Sequence, residues 1–308
     1  MSLNSVNTNI SAQVALQSLN TTSSELQATQ KRISTGYRVA DASDDGAAYA
    51  VAQRVRADVG ALTSVNDQLG SAKGLVTTSM TALGKISDSV NQAQKLLVQI
   101  GSKTTTQDQR DQFVTSYKAI VSQVADYVDN SKYNGQTLLG ATNGTAGALT
   151  PGAAKTVIGS ETGSTKILSG EDMSGLANTL ATLIGSTFTR DPAVATGDAF
   201  GTIAAGADQT SAATALSATS GATAFSTALK TVANANNQIG SDSNMLDATI
   251  SFNSSKIDSL NAGLGALIDT DLSKESAKLQ ALQIKQQLGT QALSMANQAP
   301  QSLMSLFK

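Results

Sequence analysis

The stretch Val51–Ile100, VAQRVRADVGALTSVNDQLGSAKGLVTTSMTALGKISDSVNQAQKLLVQI, decides the fold. Val51, Val55, Leu62, Val65, Leu69, Ala72, Val76, Leu83, Ile86, Val90, Ala93, Leu97 and Ile100 recur in alternating steps of three and four, and Asp58 and Ser79 interrupt the register. Such steps hold side chains on one stripe of an α-helix. At 1.5 Å rise per residue, a helix from Ala47 to Ile100 is roughly 80 Å long. A rod with one apolar stripe needs partner helices along that stripe.

Those partners lie further along the chain. Gln107–Asn130 predicts a helix with Phe113, Tyr117, Ile120, Val124 and Tyr127 on one face. A second long seam runs through Phe225, Leu229, Val232, Ile239, Leu246, Ile250, Ile257, Leu260, Leu264 and Leu267, with Asn236, Ser243 and Asn253 as polar positions. Two long seams joined through an insertion predict an antiparallel bundle in which the chain runs out and returns. Between them, SKYNGQTLLG sets Asn134-Gly135 between two short extended runs, the signature of a type I′ β-hairpin. Residues 141–221 are rich in Gly, Ala, Thr and Ser and hold Pro151 and Pro192. Met173, Leu176, Leu180 and Leu183 predict one short helix there, within an otherwise solvent-facing insertion.

The two ends differ from the rods in lacking charge. Glu25 is the first ionisable side chain, and Gln286 to Phe307 carry none. Ala12, Leu16, Leu19, Leu26 and Ile33 form a diluted seam on a first helix, with Ser23 and Gln30 at its polar positions. The last helix, from about Asp271 to Asn297, is apolar on two stripes: Leu279, Leu282 and Leu293 on one, Ala281, Ile284, Leu288, Ala292 and Met295 on the other. A helix apolar on two sides requires neighbours on two sides. Such ends are marginal alone and suited to burial against further copies of the chain.

Thr35–Gly46, TGYRVADASDDG, links the first helix to the long rod. Asp44 and Asp45 suit the N-cap and first turn of that rod. A calcium loop is disfavoured, because Asp41, Asp44 and Asp45 lack alternate-residue ligand spacing and a distal Glu.

Composition excludes several function classes. The 308 residues contain no Cys and no His, which removes disulfides, thiolate or imidazole metal sites and the commonest general base. The formal net charge of -2 offers no footprint for nucleic acid or anionic lipid. Phosphate-loop and dinucleotide motifs are lacking, so no cofactor, no metal and no catalytic residue is expected. The N-terminus lacks the pattern of a cleavable secretory signal, and no apolar run reaches transmembrane length. Export would then follow a route that reads no such signal. Asn20, Asn143 and Asn253 head N-glycosylation triplets, which a chain this rich in Asn, Ser and Thr contains by chance.

The ends give the pattern a family. SVNTNISAQVALQSLN, RISTGYRVADASDDGAAYAVAQRVRADV and KQQLGTQALSMANQAPQSLMSLFK closely resemble the terminal regions of bacterial flagellins, and YNGQTLL is similar to that family's hairpin. The similarity covers about Met1–Gly140 and Phe225–Lys308. It implies a mainly α protein: a long antiparallel coiled-coil bundle with a terminal helix pair, one small β-hairpin and a short inserted solvent-facing domain. Residues 1–34 and 271–308 would form the terminal coiled coil at the filament's inner core, and 35–46 a connecting spoke. Residues 47–140 and 222–270 would form the rod domain, and 141–221 the variable outer insertion.

The resemblance implies a non-enzymatic subunit that leaves the cell through the flagellar type III export channel. It would polymerise into the extracellular filament that drives swimming. Its implied partners are copies of itself, an export chaperone at the C-terminal region, the filament cap and hook-associated proteins. The inner-core positions are Leu16, Leu19, Leu26, Ile33, Leu279, Leu282, Ile284, Leu288, Leu293, Met295 and Leu303. Rod packing is assigned to Leu62, Leu69, Val76, Leu83, Val90, Leu97, Leu246, Ile250, Ile257 and Leu264. The segment matching the family's innate-receptor epitope, Asn91–Gln99, reads NQAQKLLVQ and lacks that epitope's Arg positions, so weak receptor activation is expected. The alternatives are a hook–filament junction protein, an enzyme housed in the insertion, and an intracellular coiled-coil adaptor.

Overall fold

The computed structural model describes residues 9–141, 151–190, 198–203, 207–216 and 222–306. Helices α1 (Ile10–Thr35), α2 (Gly46–Gly101) and α3 (Gln107–Asp129) precede a short antiparallel pair, β1 (Lys155–Ile158) and β2 (Thr165–Leu168). After α4 (Leu176–Thr182) comes a second pair, β3 (Phe188–Arg190) and β4 (Asp198–Phe200), and then α5 (Ala207–Leu216), α6 (Ala222–Ile268) and α7 (Leu272–Leu306). The contacts divide the chain into two units, Met1–Gly60 with Ile257–Lys308, and Ala61–Lys256. No helix among the described residues is long and apolar enough to cross a membrane.

In the larger unit, the seam of α2 is buried at every step from Leu62 to Ile100: Leu62, Val65, Leu69, Ala72, Val76, Ser79, Leu83, Ile86, Val90, Ala93, Leu97 and Ile100. Ser79 satisfies its hydroxyl by donating to the Leu75 carbonyl at 3.0 Å, so a polar residue sits in the seam without an orphaned group. Asn66 reaches Ser254, and Lys73 pairs with Asp247, which sets this part of α6 antiparallel to α2. Leu246 is buried with them, and Ile250 packs on the same core. Leu264 belongs to the core of the smaller unit, with Val39, Ala48, Ala52 and Ile268, and Ile257 is half-buried.

The seams differ from the sequence reading in their second column. On α6 the buried sequence is Phe225, Ala228, Val232, Ala235, Ile239, Asp242 and Leu246, so Leu229, Asn236 and Ser243 flank the seam rather than line it. On α3, Val114, Val121 and Val128 are buried where Phe113, Ile120 and Tyr127 were expected. At the start of α2, Ala48 and Ala52 are buried while Val51 is 52% exposed. At most of these positions the reason is size. Ala48 and Ala52 on α2, Val114, Val121 and Val128 on α3, and Ala228 and Ala235 on α6 are smaller than the neighbours they replace, so helices approach closely there and the bulkier side chains lie at the edge of the contact. Asp242 is held in the seam instead by the Ser169 amide, which donates to it at 2.6 Å.

Asn134 (φ 49°) and Gly135 (φ 73°) form the expected left-handed turn, closed by paired hydrogen bonds between Tyr133 and Gln136 of 2.9 and 3.0 Å. The flanking runs pair only at that single bridge. The Tyr133 ring lies on Gly74 of α2, where a β-carbon would come within 2.7 Å of its Cζ.

Within the insertion, α4 forms where the apolar spacing places it, whereas the helix α5 and the pairs β1–β2 and β3–β4 are additional to the one short helix expected. Leu168, Met173, Leu176, Leu180, Ile184 and Phe188 are buried in the same core as the rod helices. Tyr117 Oη donates to the Leu180 carbonyl at 2.9 Å, and burial pushes the phenol well above its ordinary pKa. Arg190 spans Asp126 (2.5 Å) and Asp129 (2.7 Å), tying β3 to α3. Asn253 is buried and donates its amide to the Gly159 carbonyl at 3.1 Å, so it is a packing residue and not a glycan acceptor. Asn143 and Pro192 lie outside the described residues.

Candidate functional site

The smaller unit holds the charge-free ends. Asn9 caps α1, its side chain accepting from the Ala12 amide at 3.0 Å, and its own amide donates to the Ala296 carbonyl of α7 at 2.8 Å. At the other end Gly36 ends α1 in the left-handed conformation (φ 74°) and donates to the Arg32 carbonyl. Glycine supplies that conformation without steric cost. The chain then runs against the α6–α7 corner: Arg38 N–H donates to the Ile268 carbonyl (2.6 Å) and Thr270 N–H to the Gly36 carbonyl (3.0 Å).

The acidic cluster in this link is fully used. Asp45 caps α2 by accepting from the amides of Ala47 and Ala48 at 3.1 and 3.0 Å. Asp44 accepts from the Ala40 amide and from Lys31 Nζ, and both interactions hold its carboxyl below the ordinary range. Lys31 also pairs with Asp41 at 2.6 Å, which lowers the Asp41 carboxyl and raises the ammonium. These carboxylates anchor a turn. Asp271 does the same for α7, accepting from the amides of Ser273 and Lys274.

α1 and α7 pair antiparallel. The inward positions of α1 are Ala12, Ala15, Leu19, Thr22, Leu26, Thr29 and Ile33, a run of alternating three- and four-residue steps. Leu19, Leu26 and Ile33 therefore lie on the seam as expected, but the second column is Ala15, Thr22 and Thr29. Leu16 is 47% exposed and Gln30 is also outside the contact. Small residues opposite α7 let the backbones approach, and the bulkier Leu16 is turned outward. On α7 the inward positions are Glu275, Leu279, Leu282, Gly289, Leu293 and Ala296.

The second stripe of α7 has no cover within the chain. Ile284 and Leu288 are each 58% exposed and Met295 66%. Ala281 and Ala292 are exposed beside them. Ile10 and Val14 of α1 are exposed as well, a pair the sequence reading passed over although their spacing of four signals a second apolar face. Leu303 falls in the last turns of α7, where side chains lie outside the described residues. Among the described residues no group of His, Cys, Asp or Glu is arranged to hold a metal ion.

The comparisons with known proteins address the whole chain. A family model described as the bacterial flagellin N-terminal helical region matches residues 6–144, and one described as the C-terminal helical region matches residues 222–307. Flagellin FljM of Caulobacter vibrioides is 34% identical over 310 residues, covering 100% of both chains. A flagellin of Brucella melitensis is 35% identical over 305 residues, covering 99% of each. Flagellin C of Rhizobium meliloti is 27% identical over 322 residues, with 99% and 100% covered. With terminal helices paired around a seam, a long-helix rod, and relatives aligned from end to end, the chain belongs to the bacterial flagellin family.

Proposed function

We propose that the outward stripes of α1 and α7 are the surfaces through which copies of this chain polymerise. As a flagellin, the protein is a structural subunit of the extracellular flagellar filament. The observation that carries the residue assignment is the two-sided apolar character of α7: Leu279, Leu282 and Leu293 are spent on α1, and Ile284, Leu288 and Met295 remain open. Leu16 joins this outer surface with Ile10 and Val14, while Leu19, Leu26 and Ile33 build the pair from inside. Leu303 is assigned the same polymerisation role from its place in the sequence alone. Identical subunits in a non-closing, head-to-tail contact form a helical filament.

On this reading Leu62, Leu69, Val76, Leu83, Val90 and Leu97, with Leu246, Ile250, Ile257 and Leu264, are rod-packing residues whose repacking permits the filament to supercoil. Residues 1–34 with 271–308 serve as the inner core, 35–46 as the spoke, 47–140 with 222–270 as the rod and 141–221 as the outer insertion. The chain is not an enzyme. Its further partners are an export chaperone at the C-terminal region, the filament cap and hook-associated proteins. Gln92, Lys95 and Gln99 present an exposed face without arginine, which supports weak innate-receptor activation.

Electron microscopy after adding sheared filament seeds to purified protein tests the main claim, with helical filaments expected. Deleting Pro300–Lys308 should leave the helical circular-dichroism signal of the rods and abolish elongation. Normal elongation of that truncated chain would overturn the role given to the C-terminal end.

A further inference from the structure

The contacts between α1 and α7 fix one register. Asn9 meets Ala296, Leu19 meets Gly289, and Arg32 meets Glu275. Leu19 packs directly on Gly289: a β-carbon there would stand 3.3 Å from Leu19 Cδ1. Glu275 is buried, its Oε1 lies 3.5 Å from the Arg32 guanidinium, and its Oε2 has no hydrogen-bond partner. Thr29 Oγ1, one turn from Arg32, is likewise buried without a partner. For a helix pair that is otherwise charge-poor, this is a costly way to fill a seam.

Such groups select register rather than add stability. A polar or ionic residue at a seam position penalises every alignment that strands it, and this is the best-attested use of buried polar groups in coiled coils. The remaining seam residues, Ala12, Ala15, Leu26 and Ile33 against Leu279, Leu282 and Leu293, repeat with a heptad and tolerate a shift of seven. Counting from Leu19 opposite Gly289, a slip one way brings Leu19 against Leu282 and Glu275 against Leu26. A slip the other way brings Arg32 against Gln283, a heptad away from Glu275, and Ala296 replaces Gly289 opposite Leu19. Either slip parts Arg32 from Glu275, one of them sets the Glu275 carboxylate against Leu26, and both take glycine away from the position opposite Leu19.

We propose that Gly289 and the Arg32–Glu275 pair are positioning residues that set the α1–α7 register, and with it which residues of the two helices form one polymerisation surface. In the selected register the outward Ile10 and Val14 of α1 come level with the end of α7 that carries Met295, because Asn9 is bonded to Ala296. A slip of seven moves these patches apart by about 10 Å at 1.5 Å per residue. The functional consequence rests on the polymerisation reading, but the register itself does not.

The cysteine-free chain makes the register directly readable. Counted from Leu19–Gly289, Ala12 stands opposite Ala296 one heptad out, and Thr22 opposite Gln286 three residues the other way. Three double-cysteine reporters follow: Ala12→Cys/Ala296→Cys for the observed register, and Thr22→Cys paired with Leu293→Cys or with Leu279→Cys for the two slips. Each is placed in the otherwise unchanged chain and in a chain carrying Arg32→Leu, Glu275→Leu and Gly289→Ala. Oxidised samples, assembled and unassembled fractions alike, are read by non-reducing gel mobility and peptide mapping.

The unchanged chain should give only the Ala12→Cys/Ala296→Cys crosslink. In the altered chain a slip reporter should account for at least a third of intramolecular crosslinks, and seeded elongation should fall at least tenfold. If the altered chain keeps only the original crosslink, the proposal fails. If it loses all three, the residues hold the pair together rather than set its register, and the proposal fails again. A chain that crosslinks as expected yet does not elongate before alteration would instead refute the polymerisation reading.

Discussion

Replacing Ile284 and Leu288 together by alanine should weaken filament growth without disturbing the subunit. Each side chain is 58% exposed in the isolated chain. Burying a whole Ile or Leu side chain contributes about 1.5–3 kcal/mol, so covering the exposed part is worth about 0.9–1.7 kcal/mol for each residue. Alanine keeps the β-carbon and has the higher helix propensity, so the helix itself is not weakened. The loss per added subunit is then about 2–3 kcal/mol, which raises the critical concentration about 30- to 150-fold. The assay is sedimentation of seeded filaments over a dilution series, with Gln283→Ala and Gln287→Ala as exposed polar controls on the same helix. A change smaller than about threefold, with unaltered circular dichroism, would show that this stripe faces solvent in the filament and would refute the assignment.

Leu83→Ala removes a fully buried seam residue from the rod and should cost about 2–5 kcal/mol in urea denaturation. Tyr117 is a phenol whose pKa is raised by burial, so its contribution is complete below the unfolded value near 10 and lost as pH rises beyond it. Tyr117→Phe should therefore flatten the alkaline limb of a melting-temperature profile, and an unchanged limb would contradict the burial argument. Asp41 is lowered by Lys31, so its contribution is present above pH of about 4 and lost as pH falls. Asp41→Asn should flatten the acid limb below pH of about 4, measured by the same profile.

The long seams were legible because Leu, Val and Ile mark a heptad column plainly, and Leu62 through Ile100 needed no tertiary information. The second column was not. Given Ala12, Leu19, Leu26 and Ile33, the partner column can fall three or four residues on, and Leu16 outweighs Ala15 on any hydrophobicity count. The close approach of α7 reverses that order, which only the packed pair shows. Arg110 was equally invisible: a buried arginine whose guanidinium satisfies the carbonyls of Ile100 and Thr105 at the α2–α3 turn. The open stripe of α7 was readable because two apolar stripes on one helix leave a surplus whatever the partner. For β1 and β2 a signal existed, since Thr156–Ile158 and Lys166–Leu168 flank a turn rich in Gly and Ser. Strands of four residues with so few apolar positions do not announce themselves against a background of Thr and Ala.

The shared core of rod and insertion bears on how this chain could carry foreign sequence. Met173, Leu180 and Ile184 are wholly buried among rod residues, so excising the insertion as a cassette would leave the rod a raw apolar face. Thr162–Thr165, at the tip and start of β2, are by contrast exposed. The neighbouring turn is fastened on either side by the Lys256–Glu161 pair and by Asn253. A displayed peptide belongs in that tip, added to the chain rather than exchanged for it.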